Sequence, residues 1–455
     1  MDLNANIFRA YDIRGIAYKD LTQEIVTLIG QGLGSDCLEK GNSSLVIARD
    51  GRNSSPDIFE WISLGIKSTG CNIINIGVVP TPLLYFATHK LASSSGVMIT
   101  GSHNPGDYNG FKIVRDKRSI SGEAIQDLRL KIIKKDFQKG VGSEEKVNVK
   151  DTYIEELTKH INLRRPIKVA IDCGNGVASV IAQEVYENLG CEVLPLFCEL
   201  DGNFPNHHPD PSRPENLKDL KEAVIDKKFE IGLAFDGDAD RLGIVSKKGD
   251  IIFPDMQMII FSRSILKKNR DAKIVFDVKC SKLLAEAITE SEGIPIMSKT
   301  GHSHIKDRIF KENALLGGEM SGHIFFNDKW PGFDDGIYAG ARMLEILSKF
   351  SQDEDIFSDL PKLVSTPEIN IKTTDEEKFH IVEEFIATSN FKNSKSIKID
   401  GVRVEFENGW GLLRASNTSP NLVLRFEANS KEDLESIKDS FRQTLQRIRP
   451  NLGRF

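Results

Sequence analysis

Apolar residues fall into short unbroken blocks that recur along the chain: Val46-Ile-Ala-Arg-Asp50, Val169-Ala-Ile-Asp172 and Ile274-Val-Phe-Asp277. Blocks of this length read as buried strands, and each ends on an aspartate. Apolar residues at helical spacing follow over 56–68, 177–189 and 281–291, then a second β-rich block at 72–76, 191–194 and 294–297. Strand, helix, strand three times over predicts β-α-β units roughly 105–120 residues apart, a period too long for a solenoid and suited to three α/β domains of one design. Leu21, Ile25, Leu28 and Ile29 predict a further helix over 21–34 that leads into the first unit.

From about Pro367 the pattern changes to a strand at 368–372, a helix over 375–388, several strands within 396–428 with a turn at Asn408-Gly-Trp-Gly411, and a last helix over 431–447. This predicts a smaller α+β domain with mostly antiparallel strands. The domains expected are 1–148, 149–250, 251–363 and 364–455, divided at charge-rich or Pro-containing segments.

Each repeated unit also contains a strand that runs into a polar, glycine-containing loop about 40–65 residues after its aspartate. These loops are Thr100-Gly-Ser-His-Asn-Pro105, Asp236-Gly-Asp-Ala-Asp-Arg241 and Gly318-Glu-Met-Ser-Gly-His323. Ligands of α/β sheets collect beyond the carboxyl ends of strands, so the three loops are expected to share one cleft.

Ser102 sits where a β-rich run breaks into a turn, a position suited to a covalent nucleophile or phosphate carrier; an ordinary loop serine would read the same on this octapeptide alone. If its strand stays extended, Asp236, Asp238 and Asp240 point to one side and offer three hard oxygen donors to Mg²⁺ or Ca²⁺. A solvated acidic turn is the plain alternative. An EF-hand is excluded, because Arg241 and Lys247 stand where that loop needs Gly and Glu. A serine hydrolase would want Gly-x-Ser-x-Gly, whereas Asn104 holds the second Gly position, and in an extended segment His103 would face away from Ser102. A serine beside three carboxylates points instead to phosphoryl transfer. Arg241 beside the metal loop and, near the start of the chain, Tyr11 and Arg14 are further candidate ligand contacts.

Composition narrows the class. With 40% hydrophobic and 28% charged residues the chain is an ordinary globular protein. No apolar run approaches the roughly 18 residues of a membrane span. The N-terminus lacks the basic and apolar regions of a signal peptide, which predicts a cytoplasmic protein. Six scattered cysteines without a Cys-x-x-Cys pair argue against zinc and predict reduced, mostly buried thiols. A net charge of −6 without a basic run excludes a nucleic-acid footprint.

These motifs, together with Asp107-Tyr-Asn-Gly-Phe-Lys112, Lys299-Thr-Gly-His302 and Arg414-Ala-Ser-Asn-Thr418, resemble those of bacterial phosphomannomutase/phosphoglucomutase enzymes of the α-D-phosphohexomutase superfamily, in order and over nearly the whole chain. The resemblance implies three similar α/β domains with mixed sheets, a C-terminal α+β domain with a TATA-binding-protein-like fold, and one central cleft. It implies phosphoserine at Ser102, and Mg²⁺ on Asp236, Asp238, Asp240 and a Ser102 phosphate oxygen. A hexose 6- or 1-phosphate, of mannose and of glucose, would be converted through a hexose 1,6-bisphosphate that also serves as activator. His103, Lys112, Arg14 and His323 match the acid/base and phosphoserine-contact positions. Arg414, Ser416, Asn417 and Thr418 match the phosphate-binding loop, Glu319 and Ser321 the sugar readers, and Tyr11, Lys279 and His302 the cleft lining. A monomer is expected, with sugar phosphate as its partner. Ala239 departs from a common Gly and Gly106 from a common Pro; Ala239 matters only if its φ is positive. Met320 and Gly101 argue against relatives acting on glucosamine phosphates. A metal-dependent sugar phosphatase and a non-catalytic sugar-phosphate sensor are the rival readings.

Overall fold

The three predicted repeats fold into sheets of one strand order. In the first, Asn72–Val78, Ser44–Arg49, Gly96–Ile99 and Tyr108–Arg115 lie side by side; in the second, Glu192–Leu196, Lys168–Asp172, Ile231–Phe235 and Leu242–Ser246; in the third, Ile294–Ser298, Lys273–Asp277, Leu316–Gly318 and Ile324–Phe326. Three strands run parallel in each and the fourth returns antiparallel. The first sheet also gains Ile13–Ile16 on the outer edge of Tyr108–Arg115. This structure is a computed structural model and describes residues 4–417, 419–453 and 455.

The unbroken apolar blocks follow from packing. Ile231–Phe235 and Leu242–Ser246 are buried at every position, as strands covered on both faces must be. Helix Gly336–Leu347 is apolar on nearly all sides because it is wedged between units: Tyr186 of the second unit donates its hydroxyl to the Ile337 carbonyl at 3.0 Å. One apolar cluster runs from Val46 and Ile74 through Ile171 and Leu233 to Phe276 and Leu347. The three repeats therefore share a core that fixes the placement of their loops.

The last unit is a six-stranded antiparallel sheet with helices Glu377–Thr388 and Lys431–Ile448 laid on it through Ile381, Phe385, Ile437 and Phe441. Buried Arg403 ties it to the third unit by donating to the carbonyls of Val278 (2.8 Å) and Cys280 (2.6 Å).

Two local expectations change, and one helix was not expected. The helix expected over 177–189 is a 3₁₀ turn, Val177–Val180, followed by a short helix, Ala182–Asn188. The turn expected at 408–411 is tighter, because Gly409 already pairs with Phe406. Helix Thr81–Lys90 escapes pattern reading: it is buried on nearly every side, so it shows no amphipathic stripe. Among the described residues no helix is long and apolar enough to cross a membrane.

Candidate functional site

Ser102, the aspartate loop and Glu319 all lie on the connection between the third and fourth strands of their sheets. The shared core brings these connections together. Leu242 N–H donates to the Gly322 carbonyl at 3.1 Å, and Thr81 N–H to the Asp238 carbonyl at 2.9 Å. Gly237 has no room for a side chain, since a Cβ there would stand 2.4 Å from the Ser102 carbonyl oxygen.

Ser102 is buried and left-handed, with φ 50°. Such a backbone costs a non-glycine residue free energy and needs over-determination by its surroundings. Arg52 supplies it: the fully buried guanidinium donates to the carbonyls of Ser102 (2.6 Å), Asn104 (2.6 Å), Pro105 (2.5 Å) and Tyr108 (3.0 Å). The turn corrects one expectation. The positive φ breaks the extended alternation, so His103 lies beside its neighbour, with Nδ1 3.2 Å from Ser102 Oγ. Burial and then Arg241 hold the His103 pKa well below its usual value, which keeps the ring neutral. Ser102 Oγ also donates to Asp236 Oδ2 at 3.1 Å.

The aspartates converge, but not along an extended strand. The strand ends at Phe235, and residues 236–240 form a turn closed by Ala239 N–H on the Asp236 carbonyl, with Ala239 at φ 62°. The condition under which Ala239 matters is thus met. Oxygens of Asp236, Asp238 and Asp240 lie within 4.8 Å of one another, and all three residues are fully buried. Lys112 Nζ sits 2.6 Å from Asp238 Oδ2 and 2.5 Å from Asp240 Oδ2, and Thr81 Oγ1 donates to Asp238 Oδ2 at 2.6 Å. Burial and the two neighbouring carboxylates push the Asp236 pKa well up; burial pushes Asp238 up too, but Lys112 together with the hydroxyls of Thr81 and Ser102 outweighs it and holds that pKa down. Asp238 Oδ1 and Asp240 Oδ1 are buried without a hydrogen-bond partner. Hard oxygens in this number, two of them unsatisfied, fit Mg²⁺.

Arg241 Nε donates to His323 Nε2 at 3.1 Å, and His323 Nδ1 lies 3.1 Å from Asp334 Oδ2. His302 stacks on His323 with ring centroids 5.7 Å apart; burial and then Lys306 lower its pKa well below the usual value. Arg14 reaches the serine loop through Asn104 Oδ1 at 3.0 Å. Glu319 accepts the Gly301 N–H at 2.5 Å, its pKa raised by burial, and Ser321 is partly exposed on the same turn.

At the far end, Arg414, next to last in its strand, pairs with Asp400 at 2.9 Å; Ser416 Oγ accepts from Ser419 N–H at 3.2 Å. Tyr11 joins three units: its hydroxyl donates to the Thr300 carbonyl at 2.9 Å and accepts from Asn417 Nδ2. Lys279 is held by Glu368 at 2.6 Å. Thr418 lies outside the described residues.

Family models described as Phosphoglucomutase/phosphomannomutase, alpha/beta/alpha domains I, II and III match residues 5–139, 151–249 and 253–363, and the C-terminal domain model matches 368–444. The chain belongs to the phosphoglucomutase/phosphomannomutase family. It is similar to a phosphomannomutase/phosphoglucomutase of Pseudomonas aeruginosa, 50% identical over 99% of this chain and 97% of that one. A phosphoglucomutase of Neisseria gonorrhoeae is 49% identical, covering 98% and 97%. The crystal structure of a phosphoglucomutase/phosphomannomutase family protein from Burkholderia thailandensis superposes with a TM-score of 0.95 at 43% identity, covering 99% of both chains. The chain is therefore an enzyme, a phosphohexomutase acting by intramolecular phosphotransfer.

Sequence reading missed Arg52, Thr81, Asp334, Glu368 and Asp400. Each acts through contacts distant in sequence; only Pro80-Thr81-Pro82, a helix-start signal, was visible in the chain.

Proposed function

We propose that this mutase interconverts the 6- and 1-phosphates of mannose and of glucose, carrying the phosphoryl group on Ser102 and passing through a hexose 1,6-bisphosphate. The observation that carries the reading is the 3.1 Å bond from Ser102 Oγ to Asp236, within a buried loop of three carboxylates. The names of the relatives support both sugars.

Asp236, Asp238 and Asp240, with a phosphate oxygen on Ser102, would hold Mg²⁺. When bound, the ion neutralises charge on the phosphoryl oxygens. In the first half-reaction the Ser102 Oγ–P bond breaks as a P–O bond forms to the free sugar hydroxyl, whose proton passes to His323 while Ser102 Oγ takes one up through His103. In the second, the O–P bond at the other end of the bisphosphate breaks as the phosphoryl group passes to Ser102 Oγ; neutral His103 takes the serine proton, and the released sugar oxygen takes up one through His323. His323, oriented by Asp334, serves the sugar hydroxyl, while Arg14 and Lys112 supply positive charge around the serine and aspartate loops. Arg414, Ser416 and Asn417, with Thr418, hold the phosphate that is not reacting. Glu319 and Ser321 bind sugar hydroxyls in either orientation. Tyr11, Arg241, Lys279 and His302 line the cleft, and free bisphosphate restores the phosphoserine. The enzyme is read as a cytoplasmic monomer without a nucleic-acid partner, its domains divided near 148, 250 and 363.

The test is turnover of mannose 1-phosphate and glucose 1-phosphate by wild type and Ser102→Ala, each with added bisphosphate. The variant is expected to lose turnover of both sugars; wild-type rates in the variant, or release of inorganic phosphate as the main product, would sink the reading.

A further inference from the structure

All six cysteines are unbonded; Cys37 and Cys71 touch in the buried first unit, and in the second unit Cys198 Sγ lies 3.0 Å from Cys173 Sγ. The contact is built by the second sheet. Cys173 directly follows strand Lys168–Asp172, and its N–H donates to the Leu196 carbonyl at 3.1 Å, continuing the pairing with Glu192–Leu196. Phe197 then turns left-handed, at φ 51°, and its carbonyl accepts the Asn175 N–H at 2.8 Å. That turn sets Cys198 over Cys173. Cys173 is fully buried, whereas Cys198 is partly exposed. Proximity and unequal access are the features of a thiol that meets an oxidant and a second that resolves it.

The pair stands behind the metal loop. The Cys173 carbonyl accepts the Gly176 N–H at 2.7 Å, and Val177 N–H donates to the Gly237 carbonyl at 3.1 Å. The two backbones touch so closely that a Cβ on Gly176 would lie 3.0 Å from Gly237 Cα. Gly237 in turn abuts the Ser102 carbonyl. Only two short backbone steps separate the sulfurs from the residue between Asp236 and Asp238.

We propose that Cys173 and Cys198 form a reversible disulfide under peroxide, and that closing it shifts the metal loop and slows the mutase. The Cys198 sulfur attacks a peroxide oxygen; the O–O bond breaks, an S–O bond forms, and water leaves with the thiol proton. The Cys173 sulfur then displaces the hydroxyl of the Cys198 sulfenic acid. The S–S bond forms, the S–O bond breaks, and a second water carries away the Cys173 proton. One peroxide is reduced to two waters and two thiols are oxidised. The Cys198 sulfur beside it and its own burial hold the Cys173 pKa well up, so Cys173 acts second. Bond formation draws the sulfurs about 1 Å together, a strain that the backbone bonds to Gly237 pass on.

The experiment oxidises the whole enzyme with hydrogen peroxide, alkylates the remaining thiols and maps the peptides by mass. A cross-link between the peptides of Cys173 and Cys198, with loss of two hydrogen atoms, is expected. On the same sample kcat should fall on the order of tenfold, within the range that misplacements of about 1 Å produce, and dithiothreitol should restore it. Cys198→Ser and Cys198→Ala should keep full reduced activity and resist peroxide. Cys191→Ser, which removes the other partly exposed thiol, should respond as wild type does. Absence of the cross-link while Cys198 is oxidised further would overturn the proposal. So would a cross-link that leaves kcat unchanged, or a Cys198 variant inactivated as readily as wild type.

Discussion

Lys112 and Asp238, 126 residues apart in the chain, meet at 2.6 Å across the seam between the first two sheets. Burial alone would discharge the ammonium, but Asp238 and Asp240 outweigh it and hold its pKa well above the usual value. The lysine therefore balances carboxylates that Mg²⁺ would also balance. Breaking a buried pair costs about 3–5 kcal/mol, and the loss of a positioned charge lowers rates about 10²-fold or more. Lys112→Met is expected to show both. Without metal its melting temperature should fall, and Mg²⁺ should restore more stability to it than it adds to wild type. Equal Mg²⁺ stabilisation of the two proteins would show that lysine and cation do not share the same oxygens.

Arg52 holds four carbonyls of the serine loop with one planar fork. An ammonium has neither the reach nor the geometry for four. Arg52→Lys is expected to cost about 2–4 kcal/mol in urea unfolding, because several buried carbonyls lose their donors. It should also lower kcat on the order of tenfold by loosening Ser102. A Lys variant with wild-type kcat would show that the loop keeps its turn without the fork.

Ala239 is left-handed and fully buried. Replacement by Gly relieves roughly 1–2 kcal/mol of backbone strain but gives up about 0.8 kcal/mol of methyl burial and adds chain entropy of similar size. The opposing effects nearly cancel. Ala239→Gly is expected to stay within about 1 kcal/mol of wild type in denaturant unfolding, with kcat unchanged.

His207 rests 3.0 Å from Asp172. Burial disfavours the imidazolium, but the aspartate outweighs it and the pKa is raised. A raised folded pKa gives stabilisation that is complete below the unfolded value of about 6.5 and disappears as pH climbs through the folded value. His207→Gln should therefore melt below wild type at about pH 6 and match it by about pH 9. A deficit independent of pH would assign the loss to packing against Phe197 instead.

The repeated architecture was legible in the chain because strands covered on both faces must be apolar throughout, and Val46-Ile-Ala, Val169-Ala-Ile and Ile274-Val-Phe show it directly. The loops were legible because turn residues and chemistry coincide there. Local geometry was not. Whether His103 faces Ser102 depends on one positive φ, and that φ is enforced by Arg52, fifty positions upstream. The convergence of the aspartates was foreseen from extended alternation but arises from a turn, which the preference for Gly at position 239 had hinted at. Asp334, Asp400 and Glu368 resemble any surface acid until the packing of units buries or pairs them.

The recurrence of one strand order three times has a consequence for how this enzyme can diverge. Each sheet presents a socket at the same address, and strand order sets the address while a handful of residues sets the contents. Under the proposed function the serine and the aspartates occupy the first two sockets, and Glu319, Ser321 and His323 the third. Under that proposal, changes at Glu319 and Ser321 would redirect the enzyme to another hexose without disturbing the serine or the aspartates, so that inheritance would alter substrate choice and phosphoryl chemistry independently.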